Sequence, residues 1–474
     1  GDSASVDTGD ITKSLRFRSS GSTYLSRTFG TSTNDIKWAF SFWIKNGTLG
    51  VTNPIFSAGD GTASNYFSLE RTSGNLLRVV VVYGGVTTLD CSTTAVFRDP
   101  TGHTQFLLYF DSANATSTDR LQLWQAGDGS NQSGKRLTLT YATGPIGINE
   151  PSIASWSAVV HYIGRLRYTA TYGDMYLSRI CFFDNSLPAM TALGYYNTEI
   201  NEWVPKTRSE VKSVVDAAGA SSFMLEFEDG TSLTTLGNDY SAKNNDWTLT
   251  NHSLTAGVTY DWMEDRPGNS YAVMSPIDKA SNTTLSDANL KTENTNALTH
   301  STCKTSAAFD VGSATGFTWE VLVNSVQNTL YAVIGACPTT QAPTGSYTAS
   351  GVVAMTVSGA VYKAGVLQGT YLSWTTSDII KFWMGSGNLY YSVNGVSANS
   401  GNAVATGLSG DYVAADFRAS STAATCSWIY NFGQYPFATG ATYHSAAGGY
   451  FRYAPPTGFL ALCQQNLPEG AVRN

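Results

Sequence analysis

Charge is what this sequence has least of. Asp, Glu, Lys and Arg make up 13% of its 474 residues, about half of the ~25% found in an average globular protein. No run of Lys and Arg exceeds two residues, and the net charge is only -7. Duplex nucleic acid needs a clustered basic surface, so no nucleic-acid partner is expected. No apolar stretch reaches the ~18 residues of a spanning helix, so no membrane insertion is expected. Residues 1–12 are polar and acidic, so no secretion signal is expected either.

Reactive spacings are missing too. The six cysteines stand at 91, 181, 303, 337, 426 and 463, and no two form a CxxC. That argues against zinc and for free, buried thiols, with a disulfide as the open alternative. The five histidines, at 103, 161, 252, 300 and 444, show neither HxxxH nor HxH spacing. There is no Walker loop, and no G-x-S-x-G elbow precedes a helix.

What is present is Gly, Ser, Thr, Asn and a 12% share of aromatics. That is an all-β composition. Trp38, Phe40, Phe42 and Ile44 alternate with their neighbours, as do Trp428, Tyr430 and Phe432, so each set lies on one face of a strand. Further strands are expected at 66–69, 77–83, 104–110, 120–125, 159–163 and 174–183. A second group is expected at 317–323, 331–336, 352–357, 379–383, 389–393 and 412–417. Gly, Asn, Asp and Ser turns separate them at the short intervals of a sandwich. Gly387-Asn388 and Asn394-Gly395 supply hairpin turns. Helices are few. Thr207-Arg-Ser-Glu210 is a capping box that predicts a helix over 209–218, and Ser186, Pro188 and Gly194 predict a short one over 186–194. Residues 223–228 read as a strand, 239–247 as a polar loop, and 259–278 as a Pro-punctuated connector.

Several strings carry a family resemblance. SLRFRSSGSTYLSRTFG, FSFWIKNGTLG, FRDPTGHTQFLLYFD and HYIGR over residues 12–206 resemble a laminin-G-like, concanavalin-type jelly roll of tailed-phage virion proteins. CSWIYNFGQYPF at 426–437, and the Asp378-to-Gly395 stretch, resemble the closing and central strands of SPRY-like domains in similar virion proteins. The usual G-Y-x-x-D-G loop is absent before the latter. The resemblance implies two concanavalin A-like sandwiches: an arm over 1–11, a laminin-G-like sandwich over 12–206, a mixed bridge with one short helix over 207–278, and a SPRY-like sandwich with its tail over 279–474. Such modules bind surfaces and perform no chemistry.

Candidate chemistry is sparse. Glu226 and Glu228 stand two apart and are the best pair for a glycosidase. They do not match the Glu-x-Asp-x-Glu of glucanases, and the bland alternative is a strand with its polar face in solvent and Leu225 and Phe227 in the core. Laminin-G-like domains often hold one structural calcium, for which Asp111, Asn114 and Asp119, or Gly59-Asp60, offer oxygens. Ordinary turn chemistry explains them equally well, so no cofactor and no metal ligand is assigned. Asn-x-Ser/Thr sequons at 46, 114, 131, 251 and 282 are what chance gives in this composition. Trp374, Trp383, Tyr390, Tyr391 and Trp428 are expected in the core. The loop aromatics Tyr347, Tyr371 and Tyr435 are the expected ligand-binding residues, on loops 337–350, 365–376 and 434–449.

The resemblance therefore implies a non-enzymatic phage virion protein. Its expected role is a tail fibre or receptor-binding protein for host surface glycans, made in the host cytoplasm. It is expected to form a homo-oligomer, a trimer by analogy, alongside other virion proteins. The alternatives are a capsid decoration protein and, in a different class, a secreted glycan hydrolase.

Overall fold

Trp38, Phe40, Phe42 and Ile44 all turn inward from the strand Lys37–Asn46, and none is more than 5% exposed. The computed structural model describes residues 11–30, 34–294, 300–327, 332–418, 425–440, 442–444 and 448–467. The N-terminal arm expected over 1–11 lies outside them except for Ile11, as does the side chain of His444. The chain divides into two units. One comprises Gly1–Leu254 with Asp261–Gly268, the other Thr255–Tyr260 with Asn269–Asn474. Each is built on two eight-stranded sheets, so the fold is all-β.

In the first unit one sheet runs, in spatial order, Lys135–Arg136, Leu121–Gln125, Thr104–Asp111, Lys37–Asn46, Met175–Asp184, Ser14–Phe17 and Trp262–Met263, with Phe223–Leu225 also paired to Met175–Asp184. The other runs Leu139–Thr143, Val86–Thr93, Leu77–Tyr83, Tyr66–Arg71, Asn53–Gly59, Val160–Ile163, Tyr24–Thr28 and Thr248–Thr250. Their inner faces share one hydrophobic core. Phe40 of the first sheet stacks on Phe56 of the second at 4.6 Å, and Trp38 lies against Phe110 and Phe182 at 5.5 and 5.4 Å. Each such ring contributes about 1.5–3 kcal/mol by leaving water.

The 207–278 segment divides between the units. Helix Arg208–Asp216 starts at the expected box: Thr207 accepts from the N–H of Glu210, and Glu210 accepts from the N–H of Thr207. Its Val211 and Val215 bury against Cys181, Phe183 and Met224. This covers the outer face of Met175–Asp184, and every residue of that strand is buried. Thr248–Thr250 and Trp262–Met263 add edge strands to the two sheets. Asp261 pairs with Arg16 and Arg18 at 3.2 and 2.7 Å, and Asp265 with Lys45 at 2.5 Å, all in buried positions.

Two local expectations are corrected. The helix expected over 186–194 is a single 3-10 turn, Met190–Ala192, capped by no side chain. Pro188 disfavours helical backbone at the residue before it, so Ser186 has no helix to cap. The strand expected over 223–228 stops at Leu225. Phe227 takes a φ of 55° that a strand does not accommodate.

In the second unit one sheet runs Met274–Lys279, Ser301–Thr305, Asp411–Arg418, Ala332–Pro338, Val353–Thr356, Ala360–Lys363 and Val366–Thr370, with Phe309–Asp310 beside Asp411–Arg418. The other runs Thr283–Ser286, Lys291–Asn294, Cys426–Asn431, Gly316–Val326, Ile379–Gly385, Asn388–Val393 and Val396–Ser397. Phe459–Ala461 adds to Gly316–Val326 in parallel. Asn394 and Gly395, at φ 49° and 84°, form the expected hairpin turn.

Trp428, Tyr430 and Phe432 share the inner face and are fully buried, as expected. Their neighbours Ser427 and Asn431 are buried too. A strap over residues 450–454 crosses the outer face of this sheet, held by a cross-strand row of three side chains, Lys381, Glu320 and Asn431. Asn431 donates to the carbonyl of Tyr450 at 2.7 Å. Glu320 accepts from the N–H groups of Arg452 and Tyr453, each at 2.8 Å. Lys381 donates to the carbonyl of Ala454 at 2.7 Å.

Candidate functional site

Leu25, Phe56, His161 and Ile163 face the core of the first unit, so by alternation Tyr24, Ser26, Ser57 and Tyr162 stand on the outer face of the same sheet. The chain leaves Val160–Ile163 through Gly164, whose φ is 80°. A Cβ there would come within 2.3 Å of the Phe17 ring, so only glycine fits. The loop then folds back over the sheet. Arg165 pairs with Tyr172 across it, Gly173 donates to the carbonyl of Gly164 at 2.8 Å, and Ser57 donates to the carbonyl of Arg165 at 2.7 Å.

This return lays a ribbon of tyrosines and arginines across four strands. The Arg165 guanidinium sits 4.8 Å from the Tyr162 ring centre, 5.0 Å from Tyr24 and 5.8 Å from Tyr172. Tyr24 touches Tyr162 edge-on at 5.5 Å and Tyr172 at 6.0 Å. Arg167 continues the ribbon, 5.6 Å from Tyr162, with its Nε donating to the carbonyl of Gly59 at 2.9 Å. Its stem passes beside Gly59, next to Tyr66. Tyr66 in turn lies 4.3 Å from Tyr168. Tyr162 is buried, Tyr168 is 38% exposed, and the other ribbon side chains are half-buried.

Such a surface offers flat apolar faces beside hydroxyl and guanidinium donors, the chemistry that stacks on and hydrogen-bonds a pyranose ring. Cation–π contacts hold each guanidinium in place, contributing about 0.5–1 kcal/mol at partly exposed sites. Burial and the neighbouring Tyr168 push the Tyr66 hydroxyl up to about 12, so it stays a donor at neutral pH. Asp60 beside the ribbon is held below the usual carboxylate range by Thr62 and Asn65, with a smaller contribution from Arg167.

The expected ligand residues fare differently. Tyr347 is half-buried, edge-on to Tyr362 at 5.9 Å, and packs on the cluster of Val333, Cys337 and Val413. Tyr371 packs against the main core of the second unit, a different cluster, beside Leu372. Tyr435 is fully buried, with Phe437 6.0 Å away, so it is unavailable to a ligand at the surface. A loop position in sequence did not reveal that 434–437 turns inward.

The carboxylate pair is also corrected. Glu226 is not in solvent; it is buried, with Oε1 accepting from Arg179 Nε at 2.6 Å. Burial pushes its carboxyl up, and Arg179 opposes this. Glu228 pairs instead with Arg208 at 2.5 Å. His161 is buried between the carbonyls of Val159 and Ala154, at 3.1 and 3.0 Å, and burial lowers it to about 4. His252 lies edge-on to Phe17 at 5.2 Å and is also lowered to about 4 by burial. Among the calcium candidates, Asn114 accepts from the N–H of Thr116, Asp119 pairs with Arg136, and Asp60 accepts from Thr62 and Asn65. Among the described residues no three His, Cys, Asp or Glu side chains gather as a metal site. None of the six cysteines is in a disulfide, and all six are buried. A surface crevice of about 260 Å³ lies at one sheet edge, lined by Arg136, Leu139 and Tyr141 among others. Its guanidinium is already engaged by Asp119 and the carbonyl of Thr118.

No protein-family model matches the chain, and no curated protein matches it significantly. Three solved structures illustrate what it is similar to. The SPRY domain of human HERC1 is 12% identical, with 33% of this chain and 96% of that one covered and a TM-score of 0.28. A Bacteroides ovatus protein named for an inferred carbohydrate-binding role is 16% identical, covering 51% of this chain and 58% of that one, at 0.31. Domains LG4-5 of the mouse laminin alpha1 chain are 10% identical, covering 91% of each chain, at 0.30. At these scores no functional statement follows from them.

Proposed function

We propose that the chain is a non-catalytic glycan-binding protein, serving a phage particle in attachment to host surface polysaccharide. The observation that carries the binding role is the ribbon from Tyr24 to Tyr168, five tyrosines and two arginines on a rigid sheet. The virion setting is supported by the sequence resemblances of residues 12–206 and 426–437. The non-catalytic reading is supported by the fate of the best acid pair, since Glu226 and Glu228 each serve a different arginine. Recognition is accordingly assigned to the first unit, rather than to the loops of the second.

The test uses the full chain on immobilised bacterial surface polysaccharides. Wild type is retained, Tyr24→Ala and Tyr168→Ala lose about tenfold or more in affinity, Tyr347→Ala is unchanged, and no reducing ends appear. Failure of the folded protein to retain any polysaccharide overturns the reading, and so does loss of binding in Tyr347→Ala alone.

A second reading, assembly with other virion subunits or with copies of itself, is favoured by one observation. The edge strand Val366–Thr370 shows Val366 and Leu367 64% and 53% exposed. Apolar side chains on an unpaired edge invite strand addition. Light scattering tests the self-assembly form of this reading: a homo-oligomer dissociates in Leu367→Lys, whereas a wild-type monomer removes self-assembly.

A further inference from the structure

Arg165 is set apart from comparable arginines of its unit. Arg78 places Nε and Nη2 on the two oxygens of Asp90, at 2.8 and 2.6 Å. Arg120 donates to the carbonyls of Asn114 and Ile146 at 2.8 and 2.9 Å. Arg165 has no hydrogen-bond acceptor among the described residues, and its Nε is withdrawn from solvent without one. A guanidinium carries five donors and a permanent charge, so leaving it without an acceptor in a partly desolvated place is unfavourable. The three tyrosine rings, with centres 4.8 to 5.8 Å away, hold it there by cation–π contact. Arg167 adds a second positive charge to the same stretch of ribbon, its Nε already committed to Gly59.

We infer that the ribbon selects glycans bearing an anionic group, carboxylate or sulfate, and that Arg165 receives it. This rests on the glycan reading above. Three tyrosine ring centres lie within 5.8 Å of this half-buried guanidinium, and partial desolvation strengthens a charge-assisted, two-pronged hydrogen bond to an arriving oxyanion. The pyranose carrying that group then meets the flanking tyrosine faces. The net charge of the chain is -7, so the preference arises from these two local cations and not from the overall field.

The experiment titrates the full chain with oligogalacturonate, its neutral methyl ester, dextran sulfate and dextran, at low and high salt. Oligogalacturonate or dextran sulfate binds about tenfold or more tightly than its neutral counterpart at low salt. The advantage shrinks at high salt. Which of the two charged probes binds tells carboxylate from sulfate. Arg165→Gln abolishes the advantage: the charged probe then binds no more tightly than its neutral counterpart. Arg165→Lys, which keeps the charge and the packing stem, retains only part of it; this variant decides if Arg165→Gln does not fold. Equal affinity for charged and neutral probes overturns the inference while the glycan reading stands. So does an advantage that survives Arg165→Gln and vanishes in Arg167→Gln. Binding of none of the four by folded wild type overturns the inference and counts against the glycan reading itself.

Discussion

The carboxylate of Glu320 accepts the main-chain N–H of Tyr453 at 2.8 Å, from a position with no solvent exposure. Burial pushes this carboxyl up from 4.5 to about 7; the N–H groups of Arg452 and Tyr453 and the charge of Lys381 oppose the shift. Burial also lowers Lys381, so both partners are driven towards their neutral forms. Between 4.5 and 7 the folded chain keeps a proton that the unfolded chain has released. Stability from this group is therefore fully present below 4.5, falls as pH rises to about 7, and is level above. Asp416, raised by burial from 3.8 to about 6, adds the same trend over its own window. Urea unfolding of the full chain, with hydrogen exchange of Ile379–Gly385 as the local report, should show lower stability of this unit at neutral pH than at mildly acid pH. The limiting slope is about 1.4 kcal/mol per pH unit for each group. Glu320→Gln should remove the part of the decline nearest neutrality; the amide leaves one of the two strap N–H groups without an acceptor, a cost of about 1–3 kcal/mol that does not vary with pH. An unchanged pH profile in that variant contradicts the assignment.

Arg179 and Glu226 form a buried pair, each 1% exposed at the side chain. Removing one partner strands the other charge. Arg179→Ala is expected to cost about 3–5 kcal/mol, and the double replacement Arg179→Met with Glu226→Leu to recover most of it. Equilibrium unfolding of the three proteins checks this, and a double variant no more stable than Arg179→Ala would show that the ion pair is not the reason.

Tyr435 and Tyr168 separate packing from presentation. Tyr435→Ala, at a fully buried position, should cost about 3–5 kcal/mol. Tyr168→Ala, at a 38% exposed ring, should change stability by under about 1 kcal/mol. Thermal unfolding measures both, and similar losses for the two would refute the distinction.

The thiols should be silent in the folded protein. All six are buried, and burial pushes Cys91 and Cys337 up to about 12, so the reactive thiolate is scarce. Mass spectrometry after brief N-ethylmaleimide treatment should find no label under native conditions and six after denaturation. Rapid native labelling of Cys337 would contradict its burial.

The strands that could be read in advance were those long enough to show a period. Lys37–Asn46 and Cys426–Asn431 display it over several inward aromatics, and the Thr207–Glu210 box marks the start of its helix to within a residue, the end coming two residues earlier than expected. Thr248–Thr250 and Trp262–Met263 were invisible because so few residues carry no period; pairing makes them strands. The candidate site was hidden for another reason. Tyr24 and Tyr162 are far apart in sequence and meet because Tyr24–Thr28 pairs with Val160–Ile163. The string HYIGRLRYTATYG at 161–173 did hold a clue, since Arg and Tyr crowd around glycine there. Seen alone, it offered no face on which to place them.

The Lys381, Glu320 and Asn431 clamp grips only main-chain atoms of the strap. Every amino acid offers those atoms, apart from the N–H that proline lacks. Residues 450, 452, 453 and 454 can therefore drift or be rewritten without loosening these bonds, provided proline stays out of 452 and 453. Phe451, which is buried, is held to an apolar choice. The strap is thus a natural mounting rail: a short foreign epitope written into its outward positions would be displayed in a fixed, extended shape.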